Sequence, residues 1–209
     1  MTEYMTEQEQ IQQLKNWIKQ YGLTILLGIV LALVITSGWH YYQGYKENKL
    51  IHASSVYDQM LSLRAQNNSN RAVVQAQKLL KNYPHTPYAQ MAALMLARDA
   101  TLKKNYPEAI QQLNWVIDHS KDKAIREIAR LRIARVLITE KKPQEALDTL
   151  SKINDNNFNG FADEIRGDAY LALHDTNSAR KAYEQALQEL PNAEVTRPIL
   201  QMKLDNLAT

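Results

Sequence analysis

Cysteine is absent from this 209-residue chain, and so are the short motifs that mark common catalytic sites. Without cysteine there is no thiol nucleophile and no disulfide. The sequence therefore fits an oxidising and a reducing compartment equally well. No GxSxG, P-loop or GxGxxG pattern occurs. The five histidines are scattered and form no HxxxH or HExxH pair that could hold a metal ion. These absences argue against an enzyme, a metal site and a bound cofactor.

One polar segment approaches a calcium-binding loop without completing it. The run DNNFNG, from Asp155 to Gly160, matches the first half of the pattern D-x-[DN]-x-[DN]-G. The twelfth position of that loop should supply a glutamate, but Arg166 stands there and would repel the cation. We therefore predict a polar turn between helices at this segment, and no metal.

Glycine and proline are also scarce, and neither sign of charge is in large excess. Six glycines and six prolines leave only short breaks between long amphipathic stretches, and strand signals are lacking. Lysine and arginine number 25 against 22 acidic residues, and this net charge of +3 is spread along the chain. Nucleic-acid-binding proteins carry denser basic patches. The sequence therefore predicts an all-α protein with a solvated surface of mixed charge, and with no nucleic-acid partner or small-molecule substrate.

One long apolar run is present, from Tyr21 to Tyr42. It carries no charge between Leu23 and Trp39, and as a helix it would span about 33 Å, enough for a bilayer core of roughly 30 Å. Aromatic side chains stand at both ends, as in the interfacial belt of membrane helices. They are Trp17 and Tyr21 before the run, and Trp39, Tyr41 and Tyr42 after it. We predict a transmembrane helix over residues 22–42.

A cleaved signal peptide fits this run poorly. The preceding segment contains three glutamates, whereas a signal peptide begins with a short basic region. Bulky residues from Trp39 to Tyr42 stand where small residues should mark cleavage. We therefore expect an uncleaved anchor.

The charges beside the apolar run barely decide its orientation. Lys15 and Lys19 precede the run, and Lys46 and Lys49 follow it. Lys19 lies closer to the apolar core than Lys46 does, which slightly favours an N-terminus on the cytoplasmic side.

The remaining residues, 43–209, contain a degenerate repeat. Its clearest unit is GDAYLALHDTNSARKAYEQALQELP, which places small, aromatic and proline residues at the spacing of the tetratricopeptide signature. These residues are Gly167, Tyr170, Ala179, Tyr183, Ala186 and Pro191. Small residues are needed where the two helices of a hairpin cross closely, aromatic residues fill the gaps between hairpins, and the proline ends the second helix.

Three weaker copies keep the same register. The pairs Met60–Ala72, Ala97–Ala109 and Ala134–Ala146 are each separated by twelve residues, as Gly167 and Ala179 are. The period is 37, 37 and then 33 residues, and Met60 stands where a small residue would be usual. We predict an all-α fold with one N-terminal transmembrane helix, then a tetratricopeptide-like solenoid of four helical hairpins, and a cap helix from about residue 194 to 206.

The register also predicts a concave groove lined by the first helix of each hairpin. Its residues are Tyr57, Met91, Leu94, Arg98, Ile128, Leu131, Arg135, Ile138, Phe161, Glu164, Asp168 and Leu171. We interpret eight of them as a candidate site for an extended peptide or a partner helix: Met91, Leu94, Arg98, Ile128, Leu131, Arg135, Ile138 and Phe161. Arg98 and Arg135 occupy the same place in successive repeats and could pair with a carboxylate. The alternative is that the cap helix or the repeat packing fills the groove as core.

Several segments together resemble the YfgM family, the ancillary subunits of the Sec translocon in Gram-negative bacteria. They are EQIQQLKNWIKQYG before the apolar run, SGWHYY at its end, and LRIARV, IRGDAYLA and LQMKLDNL in the repeat region. The resemblance implies a single-pass inner-membrane protein with a short cytoplasmic N-terminal segment and a periplasmic tetratricopeptide-like domain. It also implies association with SecYEG and with PpiD, a membrane-anchored periplasmic chaperone, to help newly translocated proteins. It implies no catalytic residues.

The expected organisation is a cytoplasmic amphipathic segment over residues 1–21, a transmembrane helix over 22–42 and a periplasmic domain over 43–209. The expected function is that of a non-enzymatic interaction protein at the translocon. A generic membrane-tethered scaffold for division or outer-membrane assembly machinery shares the anchor and the repeats, so only the resemblance favours the translocon.

Overall fold

A computed structural model describes residues 7–190 and 196–207, and every regular element in these ranges is helical. The α-helices are α1 (Glu7–Ala65), α2 (Ser69–Asn82), α3 (Pro87–Leu102), α4 (Tyr106–His119), α5 (Lys123–Thr139), α6 (Pro143–Leu150), α7 (Asn159–Ala172), α8 (Thr176–Glu189) and α9 (Thr196–Asp205). The all-α prediction is confirmed.

The apolar run lies inside α1. Every side chain from Leu23 to Trp39 is exposed, and the helix is long and apolar enough to cross a membrane. A helix whose apolar residues face outward on all sides has no packing partner in the chain, which is what a membrane span requires. The helix passes without a break through residues 21–22 and 42–43, so the boundaries expected there stay a prediction.

The chain divides into two compact units, with the boundary between Ile51 and His52. In the second unit the predicted register coincides with the helix pairs. Each pair of residues twelve apart places one member on the first helix of a hairpin and the other on the second: Met60–Ala72 on α1 and α2, Ala97–Ala109 on α3 and α4, Ala134–Ala146 on α5 and α6, and Gly167–Ala179 on α7 and α8. All eight residues are buried. The four predicted hairpins are confirmed.

The four hairpin turns share one backbone conformation. Asn67, Lys104, Lys141 and His174 each have a positive φ between 58° and 64°. In each turn the next residue donates its N–H to the carbonyl five residues earlier, as Asn105 does to Ala100 at 2.8 Å. This is the Schellman motif, which satisfies the last carbonyls of a helix. Glycine usually occupies the left-handed position because other residues are strained there, yet none of these four is glycine.

The residue after each left-handed position is the N-cap of the second helix of the hairpin. Asn68, Asn105 and Asp175 cap α2, α4 and α8 by accepting a hydrogen bond from a backbone N–H three residues later. Lys142 has no capping side chain, and α6 instead begins with Pro143, whose missing N–H costs nothing at this position.

Alanine and short aliphatic residues form the core of the second unit. The first cluster joins the C-terminal part of α1 to α2 and α3, and it includes Met60, which is 2% exposed. A second cluster runs through α3 to α7. Met60 therefore fills the first hairpin interface with a flexible side chain where the other hairpins use alanine or glycine.

The helices of the last hairpin cross closely at glycine residues. A methyl group added at Gly167 would overlap the buried ring of Tyr183 on α8. At Gly160, near the start of α7, an added methyl would lie 2.6 Å from Leu190. Glycine at these two positions allows α7 to approach α8 and the residue that follows it.

The segment that resembled half of a calcium loop forms the entry to α7. Asp155 caps a short 3₁₀ helix, Asn156–Phe158, and Gly160 lies inside α7 instead of at a loop turn. Arg166 forms an ion pair with Asp163 on the same helix. At the C-terminal end, α9 occupies residues 196–205 of the predicted cap helix, and residues 194 and 195 lie outside the described ranges.

Candidate partner-binding site

A pocket of about 280 Å³ opens between α3 and α5, with α4 beneath it. Its floor is apolar, and its rim carries three arginines and one threonine. The lining residues are Leu94, Ala97, Arg98, Thr101, Leu102, Leu113, Arg132, Arg135 and Val136. We call these nine residues the arginine pocket. Of the eight residues predicted for the partner-binding site, it brings together Leu94, Arg98 and Arg135.

The helical period places these side chains on one face. On α3, Leu94, Arg98 and Leu102 follow one another at four-residue intervals, so they form a single row. On α5, Arg132 and Arg135 are three residues apart and share a face. Repeat stacking brings the two rows to opposite sides of the pocket.

The three arginines differ in what they contact. Arg135 donates a hydrogen bond to Glu164 at 3.3 Å and keeps 53% of its side chain exposed. Arg98 and Arg132 are exposed, and within the described ranges neither forms an ion pair or a side-chain hydrogen bond. Two guanidinium groups at the rim are therefore available to an external acceptor.

The other five predicted site residues do not line the arginine pocket. Met91 and Phe161 are exposed, with 41% and 36% of their surface accessible, while Ile128 and Ile138 are half-buried. Leu131 is only 7% exposed and belongs to the core between α3 and α7. Its side chain is part of the repeat packing, as the alternative interpretation expected for some of these positions.

The far end of the predicted groove is closed by the chain itself. Lys203 of α9 donates to both carboxylate oxygens of Asp168, at 2.7 and 2.9 Å, and to Glu164 at 3.2 Å. The hydroxyl of Tyr183 donates to Asp168 at 2.7 Å. Burial, together with the hydrogen bond to Asp168, raises the pKa of the Tyr183 phenol well above its ordinary value. The acidic groups predicted to line the groove are thus satisfied internally.

A second ion pair lies beside the arginine pocket. Arg64, near the end of α1, binds Asp99 of α3 with both terminal nitrogens, and the Nη2–Oδ1 distance is 2.9 Å. This hydrogen bonding lowers the pKa of the Asp99 carboxyl, with smaller contributions from Lys103 and Arg98. Asp99 is thus bound by Arg64, while the neighbouring Arg98 lines the pocket.

Sequence reasoning missed Arg132, Thr101 and Leu102. The repeat register assigns one groove position per turn of helix, and Arg132 has no counterpart 37 residues earlier, where Met95 stands. The signal that could have found it is the segment ARLRIAR on α5, which carries three arginines within six residues. Two of these, Arg132 and Arg135, share the face that Arg98 approaches.

Comparison with known proteins places the chain in a family. The model of a tetratricopeptide repeat-like domain matches residues 15–209. The ancillary SecYEG translocon subunit of Neisseria gonorrhoeae is 32% identical, and the match covers 99% of this chain and 100% of that protein. The protein of the same name from Haemophilus influenzae is 29% identical, over 96% of this chain and 97% of that one.

A solved structure supports the fold alone. MamA from Desulfovibrio magneticus RS-1, residues 41 to the end, superimposes with a TM-score of 0.52 at 13% identity, covering 75% of this chain and 89% of that one. The match to the family model and to the Neisseria protein extends over both the apolar helix and the repeats. The chain carries a tetratricopeptide repeat-like domain over residues 15–209 and belongs to the family of the ancillary SecYEG translocon subunits.

Proposed function

We propose that this chain is a non-enzymatic, membrane-anchored interaction protein that associates with the SecYEG translocon and assists newly translocated proteins. The observation that carries the proposal is the full-length similarity to ancillary SecYEG translocon subunits, at 32% and 29% identity. The repeat fold supports it, because stacked hairpins present an extended surface for binding other proteins.

The proposed placement is a single span in the bacterial inner membrane. Residues 1–21 lie in the cytoplasm, residues 22–42 cross the bilayer and residues 43–209 form the periplasmic domain. The exposed apolar stretch of α1 supports the span. The proposed orientation rests on the resemblance and on the slight charge preference around Lys19.

The proposed partners are SecYEG itself and a membrane-anchored periplasmic chaperone of the PpiD type. The groove carried by α3, α5 and α7 is the proposed contact surface, with Met91, Leu94, Arg98, Ile128, Arg135, Ile138 and Phe161 at or near it. Leu131 takes part through the packing that holds α5 in place.

The primary test is co-purification from membranes. The tagged full-length chain, extracted in mild detergent, should enrich SecY and the PpiD-type chaperone over another tagged single-span protein of the same membrane. Enrichment of division or outer-membrane assembly proteins in place of SecY would contradict the proposal. A periplasm-dependent reporter fused after Thr209 should be active, and activity of a cytoplasm-dependent reporter at that position would refute the orientation.

The surface is tested by site-specific photo-crosslinking in intact membranes. A crosslinker at Met91 or Phe161, both exposed on first helices, should capture a translocon or chaperone component. The matched control is Val74, an apolar residue of α2 that is 60% exposed. Equal capture from Val74 would mean that the groove is not the contact surface.

A further inference from the structure

The arginine pocket holds two of the three arginines that have no hydrogen-bond or ion-pair partner within the described ranges. The chain has ten arginines, all within the described ranges. Seven of them donate to a carboxylate or a carbonyl: Arg64, Arg126, Arg130, Arg135, Arg166, Arg180 and Arg197. The remaining three are Arg71, Arg98 and Arg132, and two of these lie on the rim of one pocket.

The floor of the pocket is apolar and buried, which affects the strength of a charge pair formed at the rim. Ala97, Leu113 and Val136 are between 1% and 6% exposed, and they form a dry base beneath the guanidinium groups. An apolar floor lowers the local dielectric, so an arginine–carboxylate pair formed above it is stronger than one on an open surface. Leu102, which is 71% exposed, extends the apolar surface to the rim.

We propose that the arginine pocket binds a partner-protein segment in which a glutamate or aspartate stands beside a leucine-like or phenylalanine-like side chain. The carboxylate accepts hydrogen bonds from Arg98 and Arg132, and the apolar side chain enters the floor over Leu113 and Val136. Arg135 stays paired with Glu164 at the edge of the pocket. The inference rests on the proposed function, since it specifies the partner chemistry of the same groove.

The size and charge of the pocket select this occupant. A volume of about 280 Å³ is close to the lower end of ligand pockets, which suits one or two side chains better than a large cofactor. The two unpaired guanidinium groups over an apolar base disfavour a basic segment, and a purely apolar segment would leave them without a partner. Guanidinium groups bind carboxylates bidentately, which adds geometric specificity to the charge attraction.

The test is peptide binding to the full-length chain in phosphatidylcholine nanodiscs, whose surface carries no net charge. The probe is a fluorescein-labelled peptide of alternating leucine and glutamate, and the matched probe replaces each glutamate with glutamine. We expect the glutamate peptide to bind at least about tenfold more tightly, because each charge-assisted pair is worth a factor of this order. Equal binding of the two peptides would overturn the proposal.

A matched pair of variants locates the binding. The double variant Arg98→Glu, Arg132→Glu should weaken binding of the glutamate peptide by about tenfold or more. Arg71→Glu changes the charge of the third unpartnered arginine, on α2 outside the pocket, and should change the affinity by less than about twofold. Because Arg71→Glu reverses one charge and the double variant reverses two, a loss of binding free energy for Arg71→Glu of about half that of the double variant would indicate general charge attraction and would overturn the proposal. Unchanged circular dichroism confirms that each variant is folded.

Co-purification of SecY, measured on the same preparations, separates this inference from the proposed function. If wild-type protein retains SecY but does not prefer the glutamate peptide, the pocket assignment is wrong and the translocon association stands. If wild-type protein prefers the glutamate peptide in a pocket-dependent way but never retains SecY, the binding chemistry is supported and the translocon association fails.

Discussion

The charged side chains at the two ends of the predicted groove have opposite arrangements. Between α7 and α9, the carboxylates of Glu164 and Asp168 are met by Lys203 and by the Tyr183 hydroxyl. Between α3 and α5, Arg98 and Arg132 face an apolar pocket and have no partner in the described chain. Both ends present residues of first helices in the same register, but only the α7 end is covered by α9, a helix that follows the repeats.

The comparison separates side chains that hold the solenoid together from those that remain for a partner. A partly buried charge costs free energy unless it is paired, so we interpret the paired network at α9 as one that stabilises the fold. An exposed arginine costs little when unpaired, so the α3–α5 end can keep its cations free for binding. The predictions below test this division.

Gly167→Ala should cause the largest loss of stability, at the end of the solenoid formed by α7, α8 and α9, which we call the closed end. Alanine favours helix by about 1 kcal/mol over glycine, but its methyl group would overlap the Tyr183 ring and force α7 and α8 apart, at about 1–3 kcal/mol or more. Thermal unfolding followed by circular dichroism should show a clearly lower Tm. Gly44→Ala is the control, because no atom lies within 4 Å of the added methyl. An unchanged Tm for Gly167→Ala would mean that the crossing is looser than described.

Lys203→Met should destabilise the closed end by about 1–3 kcal/mol, because Glu164 and Asp168 would lose their shared cation while staying largely covered. Lys181→Met, at an exposed position on α8, is the control for removing a lysine. Chemical denaturation of the two variants checks the difference. Equal stability of both would show that the α9 network is not structural.

Arg64→Met and Arg98→Met compare a paired with an unpaired arginine beside the same Asp99. We expect Arg64→Met to cost about 1 kcal/mol, since it removes a bidentate ion pair that is about three-quarters buried, and Arg98→Met to cost less than about 0.5 kcal/mol. Similar losses for the two variants would contradict the distinction between paired and free arginines.

The Arg64–Asp99 pair also predicts a pH dependence. The pKa of Asp99 is lowered in the folded protein, so its contribution to stability is present above the unfolded value of about 3.9 and is lost progressively as the pH falls from there through the lowered folded pKa. Denaturation midpoints measured between neutral pH and about pH 3 should converge for wild type and Arg64→Met. A constant difference across this range would contradict the assignment.

The double variant Arg98→Glu, Arg132→Glu should have the smallest effect on stability, within about 0.5 kcal/mol, because neither side chain has a partner to lose. Equilibrium denaturation of the variant checks this expectation. A large loss of stability would place these arginines in a packed interface and remove the distinction between the two ends.

Much of the fold was predictable because it rests on local patterns. Small residues spaced twelve apart, with the proline that ends a second helix, identified the four hairpins, and the structure places every register pair on facing helices. Met60 departs from the small-residue pattern, yet the hairpin forms, because the flexible side chain packs into the first core cluster.

The site was predictable only in part, because its composition depends on contacts between repeats. The register identified Leu94, Arg98 and Arg135. Arg98 and Arg135 occupy equivalent positions in successive repeats, and Leu94 lies one turn before Arg98. It could not reveal that Lys203, from a helix outside the repeats, neutralises Glu164 and Asp168, or that Leu131 turns into the core. Arg132 was missed because it breaks the repeat symmetry.

The left-handed turns explain why these repeats look so unlike one another in sequence. Each hairpin is closed by backbone hydrogen bonds at one fixed place, and the side chain there points into solvent. Asparagine, lysine and histidine all fill that place, at a conformational cost of about 1–2 kcal/mol for a residue other than glycine. The turn thus constrains the backbone angle φ more than it constrains the type of amino acid. Repeats of this kind can diverge until their sequences no longer align, while the distance from one turn to the next still records the period.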